Sequence, residues 1–108
     1  MRKVHEKVVG KFLQQEKITT SNFSVTNCGH YKNGETKEFS TISVLYSYAL
    51  PVAIIDSNGN IFVGDYVRQI SCTTSAQIRA LVRTLEYLNL AYTMLSIAEF
   101  KELVRNTI

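Results

Sequence analysis

The 108-residue sequence predicts an α+β fold: an antiparallel sheet of three to five strands built from hairpins, with N-terminal and C-terminal helices packed on one face. Three observations point there. Apolar residues recur every three or four positions up to Leu13, alternate from Phe23 to about Gly64, and return to helical spacing after Ser75. Two Asn-Gly pairs, Asn33-Gly34 and Asn58-Gly59, punctuate the β-rich middle. Both residue types tolerate the positive φ of a type I′ turn, so the pair between apolar runs signals a hairpin. Helices flanking a run of hairpins bury their apolar stripes most economically on one sheet face.

The elements follow in order. Residues 3–17 read as a helix, with Val4, Val8, Val9, Phe12 and Leu13 on one stripe. Gly10 weakens it by about 1 kcal/mol relative to alanine, and "ITTSN" ends it. The segment from Phe23 to Tyr66 is rich in Val, Ile, Thr, Phe and Tyr and reads as strands. Within it, "VAIIDSNGNIFVG" predicts a tight hairpin of strands near 52–56 and 60–64. Pro51, the only proline, lacks a backbone donor and belongs at a strand start or an edge. The unbroken apolar run before Asp56 marks the third strand as central and covered, at least in part, on both faces. After "CTTS" a helix carries Ile78, Leu81, Val82, Leu85 and Leu88 on one stripe. "NLAYTML" is a short strand or an extended link. Ser96 and Glu99 then form a capping box that opens a last helix through Ile97, Phe100, Leu103 and Val104.

Length and composition bound the rest. One domain is expected, because domains commonly run to about 100–150 residues. A chain this size buries roughly 60–70% of its unfolded surface, so it needs neither disulfides nor a structural metal. Two cysteines are too few for a stapled scaffold, and the basic N-terminus leads into a charged amphipathic stretch rather than a secretory core. No run approaches the ~20 apolar residues of a membrane span. A soluble, cytoplasmic protein without membrane contact is expected.

The net charge of +3 is mild but unevenly placed. Residues 1–17 hold five basic residues against two acidic ones, and Val67 to Leu85 carries Arg68, Arg79 and Arg83 with no acid. Arg79 and Arg83 lie four apart, opposite the apolar stripe, so they share a solvent face. Arg68 precedes the helix and is placed to join them. Such a face is either simply solvated, with Arg83 paired to Glu86, or a contact for phosphates or an acidic partner.

Thr73, Thr74 and Ser75 crowd the entrance to this helix. As structure, Thr74 is the N-cap and Gln77 its capping-box partner. As function, hydroxyls and free N–H groups at a helix start attract anions. A P-loop is excluded, because no glycine-rich GxxxxGK[ST] pattern precedes the helix.

Other chemistry finds less support. Cys28, His30 and Cys72, with His5, lack the paired spacing of a zinc site, and no cofactor or metal is expected. No nucleophile elbow or paired carboxylate marks a catalytic centre, and Asp56 is better explained by its turn. Tyr46 and Tyr48 fall on one strand face, where they either pack under the helices or stack bases.

Ser47, Tyr48, Pro51, Val52 and Ala53, then Gly59, Tyr66 and Thr73-Thr74-Ser75, form a pattern about a third of the chain long. It resembles a small, functionally uncharacterised domain met in short open reading frames of phages, plasmids and some archaea. That domain shows a Ser-Tyr-x-x-Pro-Val/Ile-Ala strand, a glycine-turn hairpin, and a Tyr followed by Thr-Thr-Ser at a helix start. It often carries a basic residue or His after Thr-Thr-Ser, where this chain has Ala76 and Gln77. The resemblance implies no activity but a setting: small mobile-element proteins acting on nucleic acid or host defence.

The resulting expectation is a small non-enzymatic accessory protein of a phage or other mobile element. It contacts nucleic acid through Arg68, Thr73, Thr74, Ser75, Arg79 and Arg83, assisted by the basic first helix. The alternative is a protein-binding inhibitor of a host factor, of anti-CRISPR or other anti-defence type. Oligomeric state is open, with an edge near Pro51 or along Asn22–Thr26 available to pair two copies.

Overall fold

A computed structural model describes residues 3–33, 36–67 and 71–107, with side chains for those outside 28–41. Helix α1 spans Lys3–Leu13 and buries Val8, Val9 and Phe12. Val4, expected on the stripe, is 51% exposed. His5 is buried in its place, its ring centre 5.6 Å from that of Phe23 in an edge-to-face arrangement. The helix stops four residues earlier than its periodicity predicts. Gln15 adopts φ +56°, its N–H reaches the Phe12 carbonyl at 3.0 Å, and the Glu16 N–H reaches Lys11 at 2.8 Å. These are the two bonds of a Schellman motif, which satisfies the last carbonyls and turns the chain out of the helix.

Strands β1 (Ile18–Thr19), β2 (Phe23–Asn33), β3 (Thr36–Ser47), β4 (Leu50–Ile55) and β5 (Ile61–Gly64) follow. After them come α2 (Cys72–Tyr87), β6 (Thr93–Leu95) and α3 (Ile97–Thr107). The α+β class holds, and the sheet is larger than predicted. It has six strands in sequence order, antiparallel except for the parallel pair β5 and β6. That pair is parallel because α2 is a crossover between them, and parallel neighbours need such a connection. The proposed edge along Asn22–Thr26 is covered, since β1 pairs with Ser24 and Val25.

Asn33 pairs with Thr36 across the first Asn-Gly site, whose Gly34 lies outside the described residues. The second is a hairpin of a different kind from the type I′ expected. Gly59 has φ +84° while Asn58 stays out of the left-handed region. The Gly59 N–H bonds the Asp56 carbonyl at 3.0 Å, and the Asp56 N–H bonds Asn60 at 3.0 Å. This is a three-residue loop with glycine at its left-handed position. The Asp56 carboxylate accepts from the N–H groups of Asn58 and Asn60, as the turn reading expects.

Register decides which face each helix covers. Val25, Leu45, Ala53 and Val63 oppose one another across β2 to β5 and share one face. Phe23 lies two residues from Val25 and meets His5, and Ser47 opposite it meets Thr74, so α1 and α2 pack here. Gly64 points the other way, and a Cβ there would lie 2.8 Å from the Phe100 ring and 2.7 Å from Tyr66. Helix α3 therefore packs on the opposite face, with Phe100 its buried anchor. One-face packing is corrected. The reason is visible in β4, where Val52, Ala53, Ile54 and Ile55 are all buried and both faces need a cover. The Ser96–Glu99 capping box forms as read, with Ser96 Oγ 2.8 Å from Glu99 Oε1.

Candidate functional site at the start of α2

The hydroxyl-rich segment enters its helix three residues before the expected cap. Ser71, in extended conformation, is the N-cap, and its Oγ accepts from the Thr74 N–H at 3.1 Å. Thr74 is inside the first turn, and Gln77 is no capping-box partner. Its Nε2 instead donates to the Asn22 carbonyl at 3.0 Å, from a fully buried side chain. Tertiary contacts decide this. Thr74 Oγ1 lies 2.8 Å from Ser47 Oγ and 3.1 Å from Ser71 Oγ, with Thr74 and Ser47 both buried. Ser75 is buried as well, and Thr73 is half-buried. The hydroxyls thus knit the helix start to the end of β3.

Tyr48 stands beside this network. Ser47 pairs with Leu50, which leaves Tyr48 and Ala49 as a two-residue turn between β3 and β4. Tyr48 is 58% exposed and has φ +55°. Bulky residues seldom occupy that region, where glycine is the default. Its N–H bonds the Asn22 carbonyl at 3.0 Å, the acceptor that Gln77 also uses. Tyr48, Ala49, Leu50 and Thr73 line an open, largely apolar cleft of about 630 Å³ above Ser47 and Thr74. Tyr46 remains in β3 and half-buried, so the two tyrosines do not share a strand face as predicted. The Ser-Tyr and Thr-Thr-Ser segments, 27 residues apart in sequence at Ser47 and Thr74, meet at this point.

The arginines are elsewhere. Arg79 and Arg83 are both exposed, as their spacing predicts. At about 1.5 Å per helical residue they lie roughly 12 and 18 Å along α2 from Ser71. Arg68 lies outside the described residues. The expected Arg83–Glu86 ion pair is absent among the described residues, and Glu86 accepts from the Tyr92 hydroxyl at 3.1 Å. Burial, then the Glu86 bond and charge, raise the Tyr92 pKa above the usual phenol value, and burial raises that of Tyr66.

Cys72 is exposed on the first turn of α2, while the side chains of Cys28 and His30 lie outside the described residues. Among the described residues no three His, Cys, Asp or Glu side chains gather as metal ligands do. No described helix is long and apolar enough to cross a membrane. No family model matches the chain, and no curated protein or solved structure matches it either.

The sequence places Tyr48 in a strand with Tyr46, because nothing local marks its turn. "SYAL" contains neither Gly nor Asn, and Pro51 only signals that Leu50 before it is extended.

Proposed function

We propose that this chain is a small non-enzymatic protein-binding module that engages its partner through Tyr48 and the cleft beside it. One observation carries the reading: an exposed tyrosine fixed at φ +55° in a two-residue turn. Such a conformation costs of order 1–3 kcal/mol, and strain of this kind clusters at functional sites. Both neighbouring strands and the Asn22 carbonyl hold the turn, so the ring is presented with little freedom to lose. Rigid tyrosines beside apolar clefts are typical anchors of protein interfaces. In the setting the resemblance implies, the partner is a host factor that the module inhibits or adapts.

A second reading, nucleic-acid contact, draws on exposed Arg79 and Arg83, which have no ion pair among the described residues. Its weakness lies in the hydroxyls expected to join them: Thr74 is buried and bonded to Ser47 and Ser71, Ser75 is buried, and Thr73 is half-buried.

A photo-crosslinking residue at position 48 tests both. The proposal expects covalent capture of one protein that competes with unmodified chain, and no capture from position 57 on the far hairpin. Adducts with labelled nucleic acid alone, together with binding that weakens steeply as salt rises, would replace it with the second reading.

A further inference from the structure

A groove of about 640 Å³ runs between α1 and the last turns of α2, away from the Tyr48 cleft. Glu6, Gly10 and Leu13 line it from α1, and Arg83, Tyr87 and Leu88 from α2. Three of its features have no explanation within the chain. The first is apolar exposure. Tyr87 is 88% exposed, and Leu88, expected on the core stripe, is 51% exposed. The Asn89 turn, at φ +59°, ends α2 in a second Schellman motif and leaves both residues outside the core.

The second feature is Gly10. A glycine within a helix costs about 1 kcal/mol against alanine. A Cβ here would meet nothing within 4 Å, so no neighbour in the chain requires the glycine. What a missing side chain does provide is close approach for another backbone from outside. The third feature is charge. Glu6 and Arg83 are exposed on the same groove and carry opposite signs, yet neither enters an ion pair among the described residues.

These features select among occupants. A phosphate backbone or a uniformly acidic segment would find Glu6 opposed to it. A second copy of this chain matches both charges at once, because a two-fold interface is self-complementary. We propose that the chain forms a symmetric homodimer through this groove, with the Arg83 of each protomer against the Glu6 of the other. Gly10 sits where the helices cross, and Tyr87 and Leu88 supply the apolar contact. Symmetric dimers are the commonest assembly of soluble proteins, and Tyr and Arg are enriched among the residues that dominate interfaces. The edges that the sequence offered for pairing are not needed, and the surface is separate from the Tyr48 site.

Charge exchange tests the proposal. Sedimentation velocity of the full chain, from micromolar to submillimolar concentration, is expected to show reversible association to twice the chain mass. Arg83→Glu and Glu6→Arg each place like charges across the two-fold and are expected to weaken association at least tenfold. Mixing the two single variants puts opposite charges at both contacts, so the mixture is expected to form heterodimers where neither variant dimerises alone. The double variant should dimerise again. Both substituted positions are on the surface, and unchanged melting of each variant at low concentration shows that it remains folded. A wild-type chain that stays monomeric throughout, an Arg83→Glu variant that dimerises like wild type, or a mixture with no heterodimer overturns the proposal. Crosslinking from position 48 in the monomeric variant keeps this outcome distinct from that of the partner-binding reading.

Discussion

The two ends of α2 are made from different residue types and do opposite things. At its start, Ser71, Thr74 and Ser47 spend their hydroxyls on one another and Gln77 gives its Nε2 to the Asn22 carbonyl, while the buried Gln77 Oε1 has no partner. At its end, Arg83, Tyr87 and Leu88 face solvent with little to hold them. A cluster of hydroxyls at a helix N-terminus looks like an anion site in sequence, yet burial turns it into a joint between helix and sheet. The large side chain left exposed beside that joint is Tyr48, and along the rest of the helix the arginines and the groove are open. The lesson is about saturation: a polar group already bonded within the fold has little to offer a ligand.

Substitutions sharpen the contrast. The largest effect is expected at Thr74. Thr74→Val keeps the volume but leaves the buried Ser47 hydroxyl without its partner, which costs about 1–3 kcal/mol. Chemical denaturation should show that loss, with the midpoint shifted and the slope unchanged. Ser71→Ala removes the cap and the bond to Thr74 Oγ1, but leaves the buried Ser47–Thr74 pair, and is expected to cost about 1 kcal/mol. Measured at concentrations where the chain is monomeric, Gly10→Ala should move stability the other way, by up to about 1 kcal/mol, because the helix gains and nothing within the chain is struck. At concentrations where the chain is monomeric, Arg79→Ala and Arg83→Ala are expected to stay within about 0.5 kcal/mol of wild type, as solvated surface positions do. If losing Arg79 or Arg83 cost as much as losing Thr74, the distinction between the two ends would fail.

A titration adds a check on the opposite sheet face. Burial raises the Tyr66 pKa in the fold above its ordinary value near 10. The folded state therefore favours the neutral phenol. Its contribution is complete below the unfolded pKa and is lost as pH rises through the folded one. Stability should fall on the alkaline side of about pH 10, and Tyr66→Phe should remove part of that slope. Tyr92, shifted in the same direction, accounts for a further part.

How much of this was legible depended on how local the deciding contact was. The Ser96–Glu99 box and the Asp56 turn are settled within four residues, and both could be read directly. The start of α2 could not. Ser71-x-x-Thr74 and Thr74-x-x-Gln77 are both plausible caps, and the choice falls to Ser47 and Asn22, which come from β3 and the turn before β2. Strand β6, three residues with little burial, could be read only as a short strand or an extended link within "NLAYTML", and its parallel pairing follows only from the crossover. The split of the helices between two faces was implicit in the four buried residues of β4. Arg79 and Arg83 were read correctly as exposed, and their distance from the hydroxyls emerged once the helix start was placed.

At Tyr48 conformation and exposure are both unfavourable to the free chain. Replacing it with glycine relieves the left-handed strain and removes the ring at once. Tyr48→Gly is expected to leave the fold equal in stability or up to about 1 kcal/mol more stable, while the variant no longer competes with wild type for the captured partner. A variant that lost more than about 1 kcal/mol, or that still competed fully for the partner, would contradict it.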